Sequence, residues 1–238
     1  MTAPHFDVCV ATLGLRSLSP LLMSLGEQGV SHRLHVEVDR IGHAPAAWNR
    51  AVRRGRAPWV AIMPDDALLM PGYLAAVAAV VGTRPVRRIE DFDAESPDDA
   101  RAEQWRPAAV RARLAGNVPE QRGSSDLGLC VRRDVFEAVG GYDEGYEAAA
   151  LFDSDLLFAL WTYAAAHPDE PVVENDRAVV YHPAPLNAAG WGRPDVSKSD
   201  DEKRAVIARA AARCRAKYPE LYHRHLANVL HYGVRGVD

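Results

Sequence analysis

Residues 59–72 of the chain read WVAIMPDDALLMPG, and this stretch decides the fold. Its first five residues form an apolar run with the length and composition of a buried strand. That run leads into two adjacent carboxylates, Asp65 and Asp66. Pro71-Gly72 then predicts the start of a helix that continues to Val81, because proline suits the first turn of a helix. The stretch therefore predicts a strand, an acidic turn and a helix.

Two strand-helix units precede this stretch at the spacing of βαβ units. The sequence predicts, in order, strand Phe6–Ala11, helix Ser19–Gln28, strand Leu34–Val38 and helix Ala46–Arg54. Ser19 is the expected N-cap of the first helix, with Pro20 at its first position, and Gly55 is the expected end of the second. This order predicts a mostly parallel α/β sheet with helices on both faces.

Polar residues follow each of the three predicted strands. They are Thr12, Asp39 and the pair Asp65 and Asp66. Because the carboxyl ends of parallel strands meet at one edge of the sheet, we expect these side chains to share that edge. Ligands of such sheets bind there, so the sequence predicts a ligand site at this position.

The rest of the chain divides into an irregular segment, a return to regular structure and a tail. Residues 84–123 are rich in charge, proline and alanine, and we expect them to leave the sheet as a lid or acceptor-binding excursion with one helix near 108–115. The elements predicted next are strand Leu127–Arg132, helix Arg133–Val139, helix Asp153–Ala166 and strand Ala178–His182. Beyond Pro194 the pattern is helical. We therefore expect one α/β domain over residues 1–193 and a helical tail over residues 194–238 that packs on it.

The composition is typical of a globular protein, with 48% hydrophobic residues, 25% charged residues and a net charge of −4. No apolar run approaches the roughly 18 residues that span a bilayer, and the N-terminus lacks the pattern of a secretory leader, so we expect no membrane span and a cytoplasmic location. Cys9, Cys130 and Cys214 lie far apart in apolar runs, which is typical of buried thiols in a reducing compartment. The basic stretch Arg204–Arg215 could face an anionic acceptor, although a solvated helix face is the simpler interpretation.

The adjacent carboxylates Asp65 and Asp66 suggest a metal site. Two carboxylates at the end of a buried strand repel each other and lose hydration, so each needs a compensating partner. A divalent cation carried by a diphosphate would supply it, since Mg²⁺ binds one or two protein carboxylates together with phosphate oxygens. An acidic turn without a ligand is the alternative interpretation of the pair.

Several segments of the sequence resemble family 2 glycosyltransferases of the GT-A fold. They are residues 47–51 (AWNRA), 57–67 (APWVAIMPDDA), 70–74 (MPGYL), 127–144 (LGLCVRRDVFEAVGGYDE) and 152–156 (FDSDL). The matching features of that family are an Asn before the third strand, an acidic motif after it, a Pro-Gly helix start, a "GGFDE" turn and an "EDxDL" helix start. The resemblance spans roughly Phe6 to Pro183 and implies a Rossmann-like GT-A fold.

The resemblance also implies an activity, which is inverting, metal-dependent transfer of a sugar from a nucleoside diphosphate sugar, such as a UDP-sugar, to an acceptor hydroxyl. Mn²⁺ or Mg²⁺ is the implied cofactor. The acceptor could be a glycan, a natural product, a protein or, as a minority option, a hydroxylated base of modified DNA. Two alternatives stay open: an idle sugar-nucleotide-binding protein and a sugar-1-phosphate nucleotidyltransferase. The latter needs a glycine-rich phosphate loop after the first strand, and residues 12–16 (TLGLR) are too sparse for one.

Four residues are implied to bind the donor. By the resemblance, Thr12 and Asp39 would contact the base or ribose of the nucleotide, and Asn49 belongs to the same donor-binding core. Lys217, which forms a Lys-aromatic pair with Tyr218 near the end of the tail, would touch a phosphate. A solvated lysine is the simpler interpretation of Lys217.

Five further residues are implied to act at the reacting centre. Asp66, with Asp65 beside it, would hold the metal. His182, which ends a predicted strand, would reach the metal or diphosphate, although a structural histidine explains it equally well. Asp153 would be the general base that takes the proton of the acceptor hydroxyl, and Asp155 would orient the site.

The sequence departs from the family pattern at two positions. Pro64 stands where many relatives have the first Asp of Asp-x-Asp, so the metal would be bound by both Asp65 and Asp66 or by Asp66 alone. Phe152 replaces the Glu of "ED" and leaves Asp153 as the only carboxylate at that point. An apolar neighbour of this kind is expected to raise the pKa of Asp153.

Overall fold

The structure is a computed structural model that describes residues 6–14, 18–39, 43–65, 68–69, 72–75, 78, 86–93, 129–147, 151–167, 173–182 and 200–225. The strands are β1 (Phe6–Thr12), β2 (His32–Val38), β3 (Trp59–Pro64), β4 (Leu68–Leu69), β5 (Val86–Asp93), β6 (Leu129–Arg132) and β7 (Val173–His182). The helices are α1 (Ser19–Gly26), α2 (Ala44–Arg54), α3 (Arg133–Ala138), α4 (Phe152–Ala166), α5 (Asp200–Lys217) and α6 (Pro219–His225). Residues 73–75 and 78 are also helical, within the helix predicted after Pro71-Gly72.

The described strands form one seven-stranded sheet in the order β2-β1-β3-β6-β5-β7-β4. β1 pairs in parallel with β2 and β3, and β5 pairs in parallel with β7. β6 is antiparallel to both β3 and β5, and β4 is antiparallel to β7. The predicted α/β fold is therefore confirmed, and its parallel part, β2-β1-β3, brings the carboxyl ends of three strands to one edge.

Strand β5 corrects the prediction made for residues 84–123. Residues 86–93 pair with β6 on one side and β7 on the other, so they belong to the sheet and not to an excursion from it. Their sequence, VRRIEDFD, is dominated by charged residues, which are depleted in strands, and pattern reasoning therefore missed it. Residues 94–123, including the helix predicted near 108–115, lie outside the described residues.

The start of α1 also differs from the prediction. Ser19 was the expected N-cap, but the N-cap is Leu18, and no side-chain hydrogen bond caps this helix. Pro20 is therefore the second residue of the helix, within the first turn, where the N–H that proline lacks would have no partner. Gly55 follows the last residue of α2, as predicted.

Alternate residues of β1 face opposite sides of the sheet, and helices cover both sides. On one side Phe6, Val8 and Val10 of β1 share a buried cluster with Leu21 and Leu25 of α1. On the other side β1 packs against α2 and α4 through Cys9, Ala11, Ala47, Trp48, Leu156 and Leu160. Burial of a large side chain such as Phe6 or Leu156 stabilises the fold by about 1.5–3 kcal/mol.

The C-terminal helices pack on α4. Val206, Ala210, Cys214 and Tyr222 of these helices form a cluster with Tyr146 and with Phe158 of α4. All six side chains are buried. Tyr218, between α5 and α6, lies edge-on to Phe158 with the ring centroids 5.8 Å apart. α4 therefore contacts the sheet on one side and the tail on the other.

A buried ionic cluster lies at the amino end of β1. The carboxylate of Asp7 is fully buried and accepts hydrogen bonds from Arg133 Nη2 at 2.6 Å and from the backbone N–H of Ala57 at 2.7 Å. His35 Nε2 lies 2.8 Å from the other carboxylate oxygen. Arg133 also donates to the backbone carbonyls of Ala57 and Val52. This cluster ties α3 to the beginning of the sheet, at the end opposite the predicted ligand site.

The three cysteines are buried thiols, as their apolar surroundings predicted. Burial raises the pKa of Cys9 to about 12 and that of Cys214 to about 11. No helix in the described part of the chain combines the length and apolar character that a bilayer span needs.

Candidate active site

The carboxyl edge of β1 and β3 brings together three of the predicted donor-site residues. The hydroxyl of Thr12 donates to Asp65 Oδ2 at 2.6 Å and accepts a hydrogen bond from the N–H of Gly14 at 2.9 Å. The N–H of Asp39 donates to the carbonyl of Thr12 at 2.6 Å. Gly14 has a φ of 73°, a left-handed conformation that suits glycine and turns the chain across the strand end. Thr12, Asp39 and Asp65 thus share one edge, as the sequence predicted.

Asp39 carries a carboxylate oxygen that lacks a compensating donor. Its Oδ1 is buried and has no hydrogen-bond partner among the described residues. Burial raises the pKa of this carboxyl, an effect that the nearby His43 and Arg50 only partly offset. A buried, unpaired carboxylate oxygen is costly, which is why such atoms cluster at binding sites where a ligand supplies the donor.

Asn49 joins α2 to the turn after α3 through three hydrogen bonds. Its Oδ1 accepts from the N–H of Tyr142 at 2.9 Å, and its Nδ2 donates to the carbonyl of Tyr142 at 2.8 Å and to Glu144 Oε1 at 2.9 Å. The side chain of Asn49 is buried. Its amide is therefore occupied in linking two parts of the protein, while the predicted contact with the donor remains untested.

Asp153 lies in the first turn of α4. The helix begins after Leu151, which has a left-handed φ of 60°. Burial raises the pKa of the Asp153 carboxyl and outweighs the hydrogen bonds that it accepts from Ser154. Phe152 beside it packs on Trp48, with the ring centroids 5.5 Å apart, and edge-on to Tyr142 at 5.7 Å. Burial thus raises the pKa of this carboxyl in the direction that the sequence predicted.

Asp155 and Lys217 are paired with each other. Lys217 Nζ lies 2.6 Å from Asp155 Oδ2 and 3.0 Å from Asp143 Oδ2. The hydroxyl of Tyr146 donates to Asp155 Oδ1 at 2.8 Å. Asp155 and Tyr146 are both buried. Lys217 is thus exposed on one side and paired on the other, and its described hydrogen-bond partners are carboxylates.

Sequence reasoning missed the residues that hold this second group together. Arg213 donates twice to Asp143, at 2.8 Å for both bonds, and lies over the ring of Tyr146. Arg209 pairs with Glu147 at 2.7 Å. The spacing of four residues between Arg209, Arg213 and Lys217 was the available signal, because it places three cations on one helix face.

The predicted metal site is described only in part. Asp65 is the one proposed ligand whose side chain the structure describes, since Asp66 and the side chain of His182 lie outside the described residues. Within those residues, no cluster of three or more His, Cys, Asp and Glu side chains could hold a metal ion. The oxygen donor at the strand end suits a hard divalent cation, and the Thr12 hydroxyl fixes the orientation of that carboxylate.

Comparison with known proteins identifies the fold. No protein-family model matches the chain, and no curated protein matches its sequence. Among solved structures, S. aureus TarS residues 1–349 in complex with UDP-GlcNAc is similar, with a TM-score of 0.59 and 13% identity over 97% of this chain and 76% of that chain. The larger S. aureus TarS structure matches with a TM-score of 0.56 and 12% identity.

These similarities show that the chain has the GT-A fold, with the Rossmann-like sheet that glycosyltransferases use. The match covers 97% of this chain but only 46% of the larger TarS structure. At 12–13% identity the likeness concerns the fold alone.

Proposed function

We propose that the chain is a glycosyltransferase that moves a sugar from a nucleoside diphosphate sugar to an acceptor hydroxyl, with inversion at the anomeric carbon and dependence on Mn²⁺ or Mg²⁺. The observation that carries this proposal is the buried, unpaired oxygen of Asp39 beside the Thr12–Asp65 hydrogen bond, at the carboxyl edge of a GT-A sheet. The similar TarS structures contain UDP-GlcNAc or UDP, which supports a uridine nucleotide as the first donor to test.

The donor would bind across the carboxyl ends of β1 and β3. A ribose or base bound there would supply the hydrogen-bond donor that Asp39 Oδ1 lacks, and Thr12 would lie beside it. Asp65, Asp66 and His182 are the residues proposed to hold the metal. When bound, that cation would neutralise charge on the departing diphosphate.

Asp153 is the proposed general base. A carboxyl whose pKa is raised by burial is a better proton acceptor near neutral pH than an ordinary surface aspartate. The acceptor hydroxyl would give its proton to this carboxylate while its oxygen forms a bond to the anomeric carbon. The bond from that carbon to the diphosphate oxygen breaks, and its electron pair leaves with the diphosphate.

The acceptor is proposed only as a hydroxyl, carried by a glycan, a natural product, a protein or a hydroxylated base of DNA. Three of the basic side chains on α5 that could have met an anionic acceptor are Arg209, Arg213 and Lys217, and these already pair with carboxylates of the same chain. Their intramolecular contacts weaken the case for DNA.

The experiment that tests the donor is a panel of nucleoside diphosphate sugars, each measured with Mn²⁺, with Mg²⁺ and with a chelator. A ligand that binds the folded state raises the melting temperature, so one donor should stand out. Slow hydrolysis of the same donor should follow the metal dependence of the shift. If no nucleoside diphosphate sugar raises the melting temperature or is hydrolysed, the proposed function is wrong.

Asp153→Asn separates an enzyme from an idle binding protein. The variant keeps the shape of the side chain but cannot take up the proton, so turnover should fall by about 10²–10⁴-fold. Donor binding, measured by the same thermal shift, should be retained because Asp153 is proposed to face the acceptor. Equal hydrolysis and transfer rates in wild type and variant would rule out Asp153 as the base.

A further inference from the structure

A row of cations on α5 lies against the turn that follows α3. Arg209 pairs with Glu147, Arg213 pairs with Asp143, and the row ends at Lys217. Lys217 differs from the two arginines because it contacts two carboxylates from different elements, Asp143 in the turn and Asp155 in α4. Lys217, at the end of the row, therefore forms an ion pair between the tail and the proposed catalytic helix.

Asp155 is held from both sides. The hydroxyl of Tyr146 donates to Oδ1 at 2.8 Å, and Lys217 Nζ donates to Oδ2 at 2.6 Å. A buried carboxylate is costly unless it is paired with a cation and hydrogen-bonded, and Asp155 has both kinds of partner. The ring of Tyr146 is itself covered by Arg213 and Lys217, whose charged groups lie 5.5 and 6.0 Å from its centroid. Tyr146 is therefore fixed at its ring and at its hydroxyl.

The first turn of α4 is held by apolar packing and by few polar contacts with other elements. No side-chain hydrogen bond caps the helix, and its N-cap, Leu151, adopts a left-handed φ. Within that turn the carboxylate of Asp153 accepts hydrogen bonds from Ser154, and its described hydrogen bonds all come from within the turn. The side chains of Leu151 and Phe152 pack on neighbouring elements, and the two bonds to Asp155 are the described side-chain hydrogen bonds that tie this turn to other elements.

We propose that Lys217 and Tyr146 are positioning residues which hold Asp155, and through it the first turn of α4, so that Asp153 faces the acceptor hydroxyl. The tail helix α5 is then part of the catalytic centre. This inference rests on the proposed function, because it assigns a task to two residues that serve the proposed base without touching substrate. It also gives Asp155 its role as the anchor of the turn.

Two variants remove the two contacts separately. Tyr146→Phe removes the hydroxyl and keeps the ring under the cations, while Lys217→Met removes the ammonium and keeps most of the stem. The matched control is Arg209→Met, which breaks an ion pair on the same face of α5 but makes no described contact with Asp155. If Lys217 served only to dock the tail, Lys217→Met and Arg209→Met would behave alike.

The measurements are kcat for transfer or donor hydrolysis, donor affinity and melting temperature, all on the full chain. A small displacement of a catalytic group can cost roughly 100-fold in rate, so kcat should fall by roughly 10- to 100-fold in Lys217→Met and Tyr146→Phe. Donor affinity should stay close to that of wild type, and Arg209→Met should keep its kcat. Lys217→Arg, which retains a cation, should recover most of the lost turnover.

The outcomes separate this inference from the proposed function. If the wild type binds and turns over no donor, the proposed function is overturned and the inference with it. If the wild type is active but Lys217→Met and Tyr146→Phe match Arg209→Met in kcat, only the inference is overturned. The inference alone is also overturned if donor affinity in Lys217→Met falls in parallel with kcat, because that pattern would mean that Lys217 contacts the donor. Should Lys217→Met fail to fold, Tyr146→Phe decides alone, since it removes a single hydroxyl.

Discussion

Replacement of Arg133 by methionine tests the buried ionic cluster at the amino end of β1. The change removes the guanidinium that lies 2.6 Å from Asp7 Oδ2, while methionine keeps most of the stem volume. Asp7 is fully buried, so its carboxylate would lose its arginine partner among the described residues in a place that water does not reach. His35 and the N–H of Ala57 would remain as its partners.

The expected loss of stability is large. Removal of one partner of a buried ion pair costs about 3–5 kcal/mol, because the other charge is left uncompensated. Arg133 also donates to the carbonyls of Val52 and Ala57, and each lost bond adds roughly 1 kcal/mol. For a chain of this size each kcal/mol shifts the melting temperature by about 2–4 °C, so the melting temperature should fall by at least about 6 °C.

The assay is chemical denaturation at pH 7, with Arg132→Met as the matched control. Arg132 is the adjacent arginine, and its partner Asp134 is largely exposed, so the control should lose about 1 kcal/mol or less. The double variant Asp7→Asn with Arg133→Met removes the stranded charge and should be more stable than the sum of the single changes predicts. Equal destabilisation by Arg132→Met and Arg133→Met would refute this account of the cluster.

The same cluster predicts a dependence on pH. Burial alone would raise the pKa of Asp7, but the hydrogen bonds from His35 and Ala57 and the charges of His35 and Arg133 outweigh it and lower the pKa. A carboxyl with a lowered pKa in the folded state contributes stability that is fully present above its unfolded pKa of about 3.9 and is lost as pH falls through the folded value. The stability gap between wild type and Arg133→Met should therefore narrow below about pH 4.

Two further substitutions probe the two ends of the sheet. Gly55→Ala should lower the free energy of unfolding by about 1–3 kcal/mol, because the added Cβ would overlap the carboxylate of Asp7 and come within 2.9 Å of Arg133 Nη2. Gly26→Ala, whose Cβ would meet open space, is its control and should be neutral or stabilising in denaturation curves. Asp39→Asn should weaken donor binding by roughly tenfold or more and leave the melting temperature of the free protein unchanged or higher, since it removes a half-buried carboxylate whose pKa is raised by burial. A lower melting temperature with unchanged donor affinity would contradict the assignment of Asp39.

The first half of the fold was readable from the sequence because its signals are local. Apolar runs bounded by glycine, proline and polar residues gave β1 to β3 and α2 to within a few residues. The parallel order of these strands then predicts that Thr12, Asp39 and Asp65 lie at one edge, as they do. The hydrophobic pattern predicts an element where buried residues recur with the period of a helix or a strand.

The sequence did not reveal β5 because its stability in the sheet is not local. Its charged residues argue against a strand, and only pairing with β6 and β7 on both sides makes it one. The contacts of Asp155 were hidden for a related reason. Lys217 lies 62 residues away along the chain, and nothing in the sequence around either residue specifies the other.

Asn49 shows how the two halves of the site are connected. Its Oδ1 can approach the N–H of Tyr142 only because the preceding residue is Gly141, where a Cβ would lie 2.8 Å from that oxygen and where φ is 67°. The turn shaped by this contact continues into Asp143 and Tyr146, which bind the cations of α5. One line of contacts therefore runs from Asn49 in α2, through a glycine-dependent turn, to the tail helix that pairs with Asp155. A substitution at Gly141 should consequently disturb Asp153, although Gly141 lies in neither the proposed donor edge nor the proposed catalytic helix.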